Sequence, residues 1–167
     1  MHKFRQALLC AALISGGQVL AEDRSKEEAA NVSATQRFFN AGWGTNEGWQ
    51  DHWRSAVSED ATSYFHAFPP ITGVENMIDF NADLFVGFPR LEMSVQGIVA
   101  EGNTVVVTGH LNGIHDGLFL GVPASGAEVS VPDVTILTFR DRQIVEMRYF
   151  TDLMAVMTLI GALPPNE

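Results

Sequence analysis

Cysteine is almost missing from this chain of 167 residues; a single one, Cys10, stands near the start. One cysteine allows no internal disulfide and no CxxC pair for zinc or redox work, so stability has to come from packing. Basic residues are scarce as well. Ten Lys and Arg face twenty Asp and Glu, a formal net charge of −10, and such a surface repels nucleic acid and anionic membranes. Anionic ligands are also disfavoured unless a local cation compensates, which draws attention to Arg148. Neither a phosphate loop nor a serine-nucleophile motif occurs. No two histidines stand one helical turn apart, the spacing a helical metal site would use, so no metal is expected. Repeats, low-complexity tracts and long linkers are absent too.

What is present begins with a basic start (His2, Lys3, Arg5), the apolar stretch ALLCAALIS and small residues ending at Ala21. That order predicts a signal peptide over residues 1–21, cleaved after Ala21. Its apolar core is too short for a stable bilayer anchor. The expected mature chain, residues 22–167, has the size of one domain and carries no cysteine. Export places it in the periplasm or outside the cell, with no membrane attachment once the signal is gone.

Along that domain, RSKEEAANVSATQRFFNAGW predicts a first helix with Ala30, Ala34, Phe38 and Ala41 on its apolar face. A second, short helix follows, capped by Thr45, with Trp49, Trp53 and Val57 at helical spacing. ATSYFHAF reads as a strand that Pro69-Pro70 breaks. A third helix starts near Thr72-Gly73, carries Val74, Met77, Phe80, Leu84 and Phe85 on one side, and ends at FPR. Beyond Arg90 the pattern alternates: a hairpin turns at Glu101-Gly102-Asn103, and a second strand pair is joined by Arg140-Asp141-Arg142. An apolar helical tail stops at Gly161. Helices first and antiparallel strands later predict an α+β domain, with N-terminal helices on a curved, mainly antiparallel sheet and a pocket between the layers.

Between the strand pairs lies GIHDGLFLGVPASG, residues 113–126, where glycines and a proline punctuate a histidine, an aspartate and Leu118-Phe119-Leu120. It reads as a turn that also rims a pocket. The spacing of His115, Gly117, Phe119, Gly121, Pro123 and Gly126, together with Ile144, Glu146, Asp152 and Leu153 running into the terminal helix, resembles the SnoaL-like polyketide cyclases. These ester-cyclase-like proteins have the cone-shaped nuclear-transport-factor-2-like fold, and the likeness extends from about Phe38 to Pro164. It implies a cofactor-independent intramolecular aldol ring closure on a small apolar or aromatic carbonyl compound. By the same resemblance an aspartate, matched here by Asp152, serves as acid and base, and His115 and His66 orient the substrate; homodimers packed through the outer sheet face are common for the fold, and the sequence leaves the oligomeric state open. Three positions depart from the family pattern: Arg90 follows Phe-Pro where an acid is usual, Gly109 replaces a bulky residue, and Arg148 replaces an aromatic.

Read from the residues alone, the same side chains carry two readings each. Asp152, in the apolar stretch from Tyr149 to Met154, is either a helix cap or a carboxylate held partly out of water. Strand alternation puts Glu146, Arg148, Phe150 and Asp152 on one face, so Arg148 either neutralises Glu146 or meets an anionic ligand. His115 either bonds a ligand or fixes the glycine-rich turn. His66, beside the prolines, divides the same way. Trp43, His110, Phe119, Arg148 and Phe150 complete the expected ligand-binding set, with the aromatic helix residues serving either as core or as pocket wall. Alternatives to the cyclase are a non-catalytic envelope binding protein, and a hydrolase or dehydratase on the same scaffold.

Overall fold

The computed structural model describes residues 25–65 and 68–163. The segment expected to be a signal peptide, and His66, lie outside them.

Helix α1 (Lys26–Ala41) starts where Ser25 and Glu28 form a capping box: the Ser25 hydroxyl accepts the Glu28 N–H, and Glu28 accepts the Ser25 N–H. The second carboxylate oxygen of Glu28 accepts the Gly102 N–H at 2.8 Å, which ties the helix start to a distant hairpin turn. The buried face of α1 comprises Asn31, Val32, Thr35, Phe38 and Phe39, while Ala30 is exposed. The stripe is therefore turned about one residue from the alanine face expected, because the two phenylalanines carry far more apolar area.

Helix α2 (Trp49–Ala56) buries Trp49 and Trp53 as expected, but its cap is Gly48, in the left-handed region, rather than Thr45. Val57 has already left the helix and opens strand β1 (Val57–Phe65). After the two-residue strand β2 (Ile71–Thr72), helix α3 (Val74–Gly87) buries Val74, Met77 and Ile78. Four long strands follow: β3 (Glu92–Glu101), β4 (Thr104–Ile114), β5 (Glu128–Arg140) and β6 (Gln143–Thr151). Helix α4 (Leu153–Leu159) is the last helix or strand among the described residues, with left-handed Gly161 beyond it.

The six strands form one open sheet in the order β2-β1-β6-β5-β4-β3. Every pairing is antiparallel except β1 with β6, so the sheet is mixed; α1 and α2 precede it, α3 follows β2 and α4 follows β6, an α+β arrangement. On β5 the alternation is strict: Val129, Val131, Asp133, Thr135, Leu137 and Phe139 are buried and their neighbours less so. A bulge in β6 between Ile144 and Glu146 resets its phase, after which Met147, Tyr149 and Thr151 share the inner face with Thr135 and Asp133. Phe38, Phe39 and Trp53 meet this inner face together with Val105, Val107 and Met147.

Candidate functional site

A cavity opens between the helices and the inner sheet face. It is narrow, with about 40 Å³ open to the centre of a water-sized molecule, and its walls are chiefly aromatic and aliphatic: Phe38, Phe39, Trp43, Phe65, Leu84 and Met93 among them. The indoles are held in place by their own N–H groups. Trp43 donates to the Phe39 carbonyl at 2.7 Å and Trp53 to the Gly42 carbonyl at 2.8 Å.

Against these walls stands a polar cluster from two neighbouring strands. Asp133, on β5, is 4% exposed and is the one carboxylate lining this cavity among the described residues. One of its oxygens accepts the Thr135 hydroxyl at 2.9 Å and the other accepts the Thr151 hydroxyl. The register explains the convergence, since Asp133 pairs with Thr151 and Thr135 with Tyr149 across β5 and β6. A buried carboxylate is costly to keep unless it is bonded, and two hydroxyls meet that need while leaving lone pairs unspent. Tyr149 stacks on Phe65 at 4.7 Å and donates its hydroxyl to the Met147 sulfur at 2.9 Å. Burial, and then the charge of Asp133, push its phenol well above the ordinary tyrosine range. Asn81, from α3, lines the same space and donates one amide N–H to the Met77 carbonyl, with donor and acceptor capacity left over.

Phe65 and Leu84 also belong to a second, outer chamber, wider than the first, with about 420 Å³ open to the centre of a water-sized molecule, and bounded by Phe68, Phe80, Val86 and the tip residues Leu118, Phe119 and Leu120. GIHDGLFLGVPASG is thus the rim of the mouth as well as a connection between strands. Its base is clamped. The N–H groups of Asp116 and Gly117 both bond the Gly87 carbonyl, and Arg90 meets the Asp116 carboxylate at 2.9 Å. Gly117 is required there because a Cβ would lie 1.9 Å from the Val86 carbonyl oxygen.

The residues singled out in the sequence separate into three places. Trp43 lines the inner cavity and Phe119 the outer chamber. His115 is fully buried in the loop base, where its Nδ1 accepts the Ser125 N–H at 3.3 Å and lies 3.0 Å from the Ser125 hydroxyl. Through Nδ1 the imidazole staples the turn, its ring centroid 5.2 Å from that of Phe88 and 6.5 Å from that of Phe119, while Nε2 is buried with no hydrogen-bond partner among the described residues. His110, Arg148 and Phe150 point to the outer face of the sheet: His110 meets Gln96 at 3.2 Å, and Arg148 binds Glu146 at 2.7 Å and lies 4.5 Å from the Tyr64 ring centroid. Asp152 is exposed at the start of α4 and accepts the Ala155 N–H at 2.9 Å, so its side chain performs the cap. Gly109, inward-facing and paired with Asp133, admits no side chain because the bulged β3 brings the Ser94 carbonyl within 2.3 Å of where a Cβ would be.

Sequence reading passed over Asp133 and Tyr149. The signal for Asp133 was legible as a carboxylate in phase with Val129, Val131, Leu137 and Phe139.

The family model for SnoaL-like polyketide cyclases matches residues 33–160. No curated protein matches the chain. Among solved structures, a Jannaschia sp. CCS1 protein assigned as a SnoaL-like polyketide cyclase is 52% identical, over 86% of this chain and 99% of its own, with a TM-score of 0.81. At 22% identity, AclR of Streptomyces galilaeus, assigned as a hydroxylase, covers 84% of this chain and 86% of its own with a TM-score of 0.70, a likeness of fold. IdmH of Streptomyces antibioticus, assigned as a polyketide cyclase, is likewise 22% identical, over 78% of this chain and 98% of its own, with a TM-score of 0.65. With a helix-covered mixed sheet, a cavity between the layers and a family match along most of its length, the chain belongs to the SnoaL-like polyketide cyclases of the nuclear-transport-factor-2-like fold.

Proposed function

We propose that this member of the family catalyses a cofactor-independent ring closure or isomerisation of a small apolar or aromatic carbonyl compound, that Asp133 is its acid and base, and that it works outside the cytoplasm. The observation that carries the chemistry is the buried Asp133 carboxylate, steadied by two threonines in an aromatic cavity. In the reaction, an Asp133 oxygen takes a proton from the carbon beside a carbonyl, and the C–H electron pair becomes an enolate. The enolate carbon then attacks a second carbonyl of the same molecule, forming the ring bond, and Asp133 returns the proton to the new alkoxide oxygen. Atoms and electrons balance without an oxidant or a second substrate. Thr135 and Thr151 hold the carboxylate in place, Asn81 offers an amide N–H to a carbonyl oxygen, and the aromatic walls limit water, which would otherwise quench the enolate. Asp152 has a cap to make and faces solvent, which favours Asp133 for the role.

The test uses a fused-ring aromatic β-keto ester with a pendant ketone, its closure followed by absorbance. Asp133→Asn keeps size and polarity but removes basicity, so kcat should fall roughly 100-fold or more with KM little changed. Turnover near that of the unsubstituted protein would sink the assignment. Tight binding without turnover in either protein would instead favour the non-catalytic binding reading.

A further inference from the structure

The tip of the rim loop is built against local preference. Phe119 and Val122 exchange both backbone hydrogen bonds, at 3.0 and 2.8 Å, and the two residues between them, Leu120 and Gly121, have φ of 48° and 81°. A tight turn with two positive φ values favours Asn, Asp or Gly at both central positions, and a leucine there is strained. Leu120 is also 52% exposed, and Leu118 and Val86, which line the same chamber, are 59% and 58% exposed. The fold itself gains little from leucine at this site. These side chains line the outer chamber, which lies next to the Asp133 cavity and has Phe65 and Leu84 as common walls with it. Among the described residues lining the two chambers, the charged groups are Asp133 within and Asp83 at the mouth, with no cation.

We infer that the outer chamber is a subsite for an uncharged apolar extension of the same ligand whose carbonyl reaches Asp133, and that Leu120 is the residue that grips it. This rests on the reading that the inner cavity takes a carbonyl compound. The substrate is accordingly an elongated molecule with one polar, reacting end and a distal apolar end that meets Leu118 and Leu120 at the mouth. Ligand contact would remove the exposed leucines from water, which the free protein leaves undone.

Leucine in a left-handed turn gives the test a signature that a purely structural role lacks. Asparagine adopts that backbone readily, so Leu120→Asn should raise the thermal midpoint by a few degrees while removing the apolar grip. Binding of 4-alkylacetophenones with two-, six- and ten-carbon chains is measured by calorimetry. The unsubstituted protein should bind more tightly along the series, by at most about fourfold per methylene. Leu120→Asn should weaken the ten-carbon member roughly 10-fold and leave the two-carbon member unchanged. Equal loss for both, no loss for either, or an affinity that stops rising after the two-carbon member would overturn the proposal. In Asp133→Asn the length dependence should persist. Normal turnover there with the length step intact would sink the acid/base reading alone, whereas lost turnover with no length step sinks the subsite alone.

Discussion

At the scale of single residues, burial and register matter more than residue type. Asp133 and Asp152 are both aspartates beside apolar neighbours, yet one is 4% exposed among threonines and the other faces water at a helix start. Tyr149 shows what the buried setting does. Its phenol is pushed up from the ordinary value of 10.0, first by burial and then by the Asp133 charge. The folded protein thus keeps a proton that the unfolded chain releases, so this contribution to stability is complete below pH 10.0 and is lost as pH rises past it. Urea-denaturation midpoints should therefore fall more steeply above that pH than in Tyr149→Phe, where the group is gone. Equal slopes for the two proteins would overturn the account.

At the scale of elements, the strand-to-helix junction at Thr151–Leu153 decides what Asp152 can do. After the β6 bulge, Met147, Tyr149 and Thr151 face inward, so the positions between them, Arg148 and Phe150, face out, and the chain then enters α4 with Asp152 as its cap. Asparagine caps about as well as aspartate and alanine does not. Asp152→Ala should cost about 1 kcal/mol of stability, with Asp152→Asn within a few tenths of the parent by chemical denaturation. An equal loss in both variants would mean that the carboxylate charge matters beyond its hydrogen bond to Ala155. The rim loop makes a similar point: its base is fixed by Gly87, Arg90 and Ser125, and the tip from Leu118 to Gly121 lines the outer chamber.

At the scale of the whole molecule, a strongly acidic chain encloses two adjacent chambers with no described cation on their walls. Arg148, the cation that the sequence suggested for an anionic ligand, is spent on Glu146 and Tyr64 on the opposite face of the sheet. An uncharged substrate fits this arrangement. The proposed export has its own measurement. Mass spectrometry of protein recovered from the native host should find a chain beginning at Glu22, and soluble cytoplasmic protein retaining Met1 would defeat the proposal.

The sequence by itself determined the order of elements apart from the two-residue β2, the two hairpins, the family and the rim character of GIHDGLFLGVPASG, because these depend on local periodicity, turn chemistry and spacing. It even contained the mark of Asp133, a charge in phase with buried valines. What it left open was which aspartate, which histidine nitrogen and which helix face would meet. Those choices were made by tertiary structure: the pairing of β5 with β6 sets Thr151 against Asp133, a bulge turns Arg148 and Phe150 outward, and α1 rotates to bury its phenylalanines. Each depends on residues far apart in the chain, where a shift of one position exchanges the inner face for the outer.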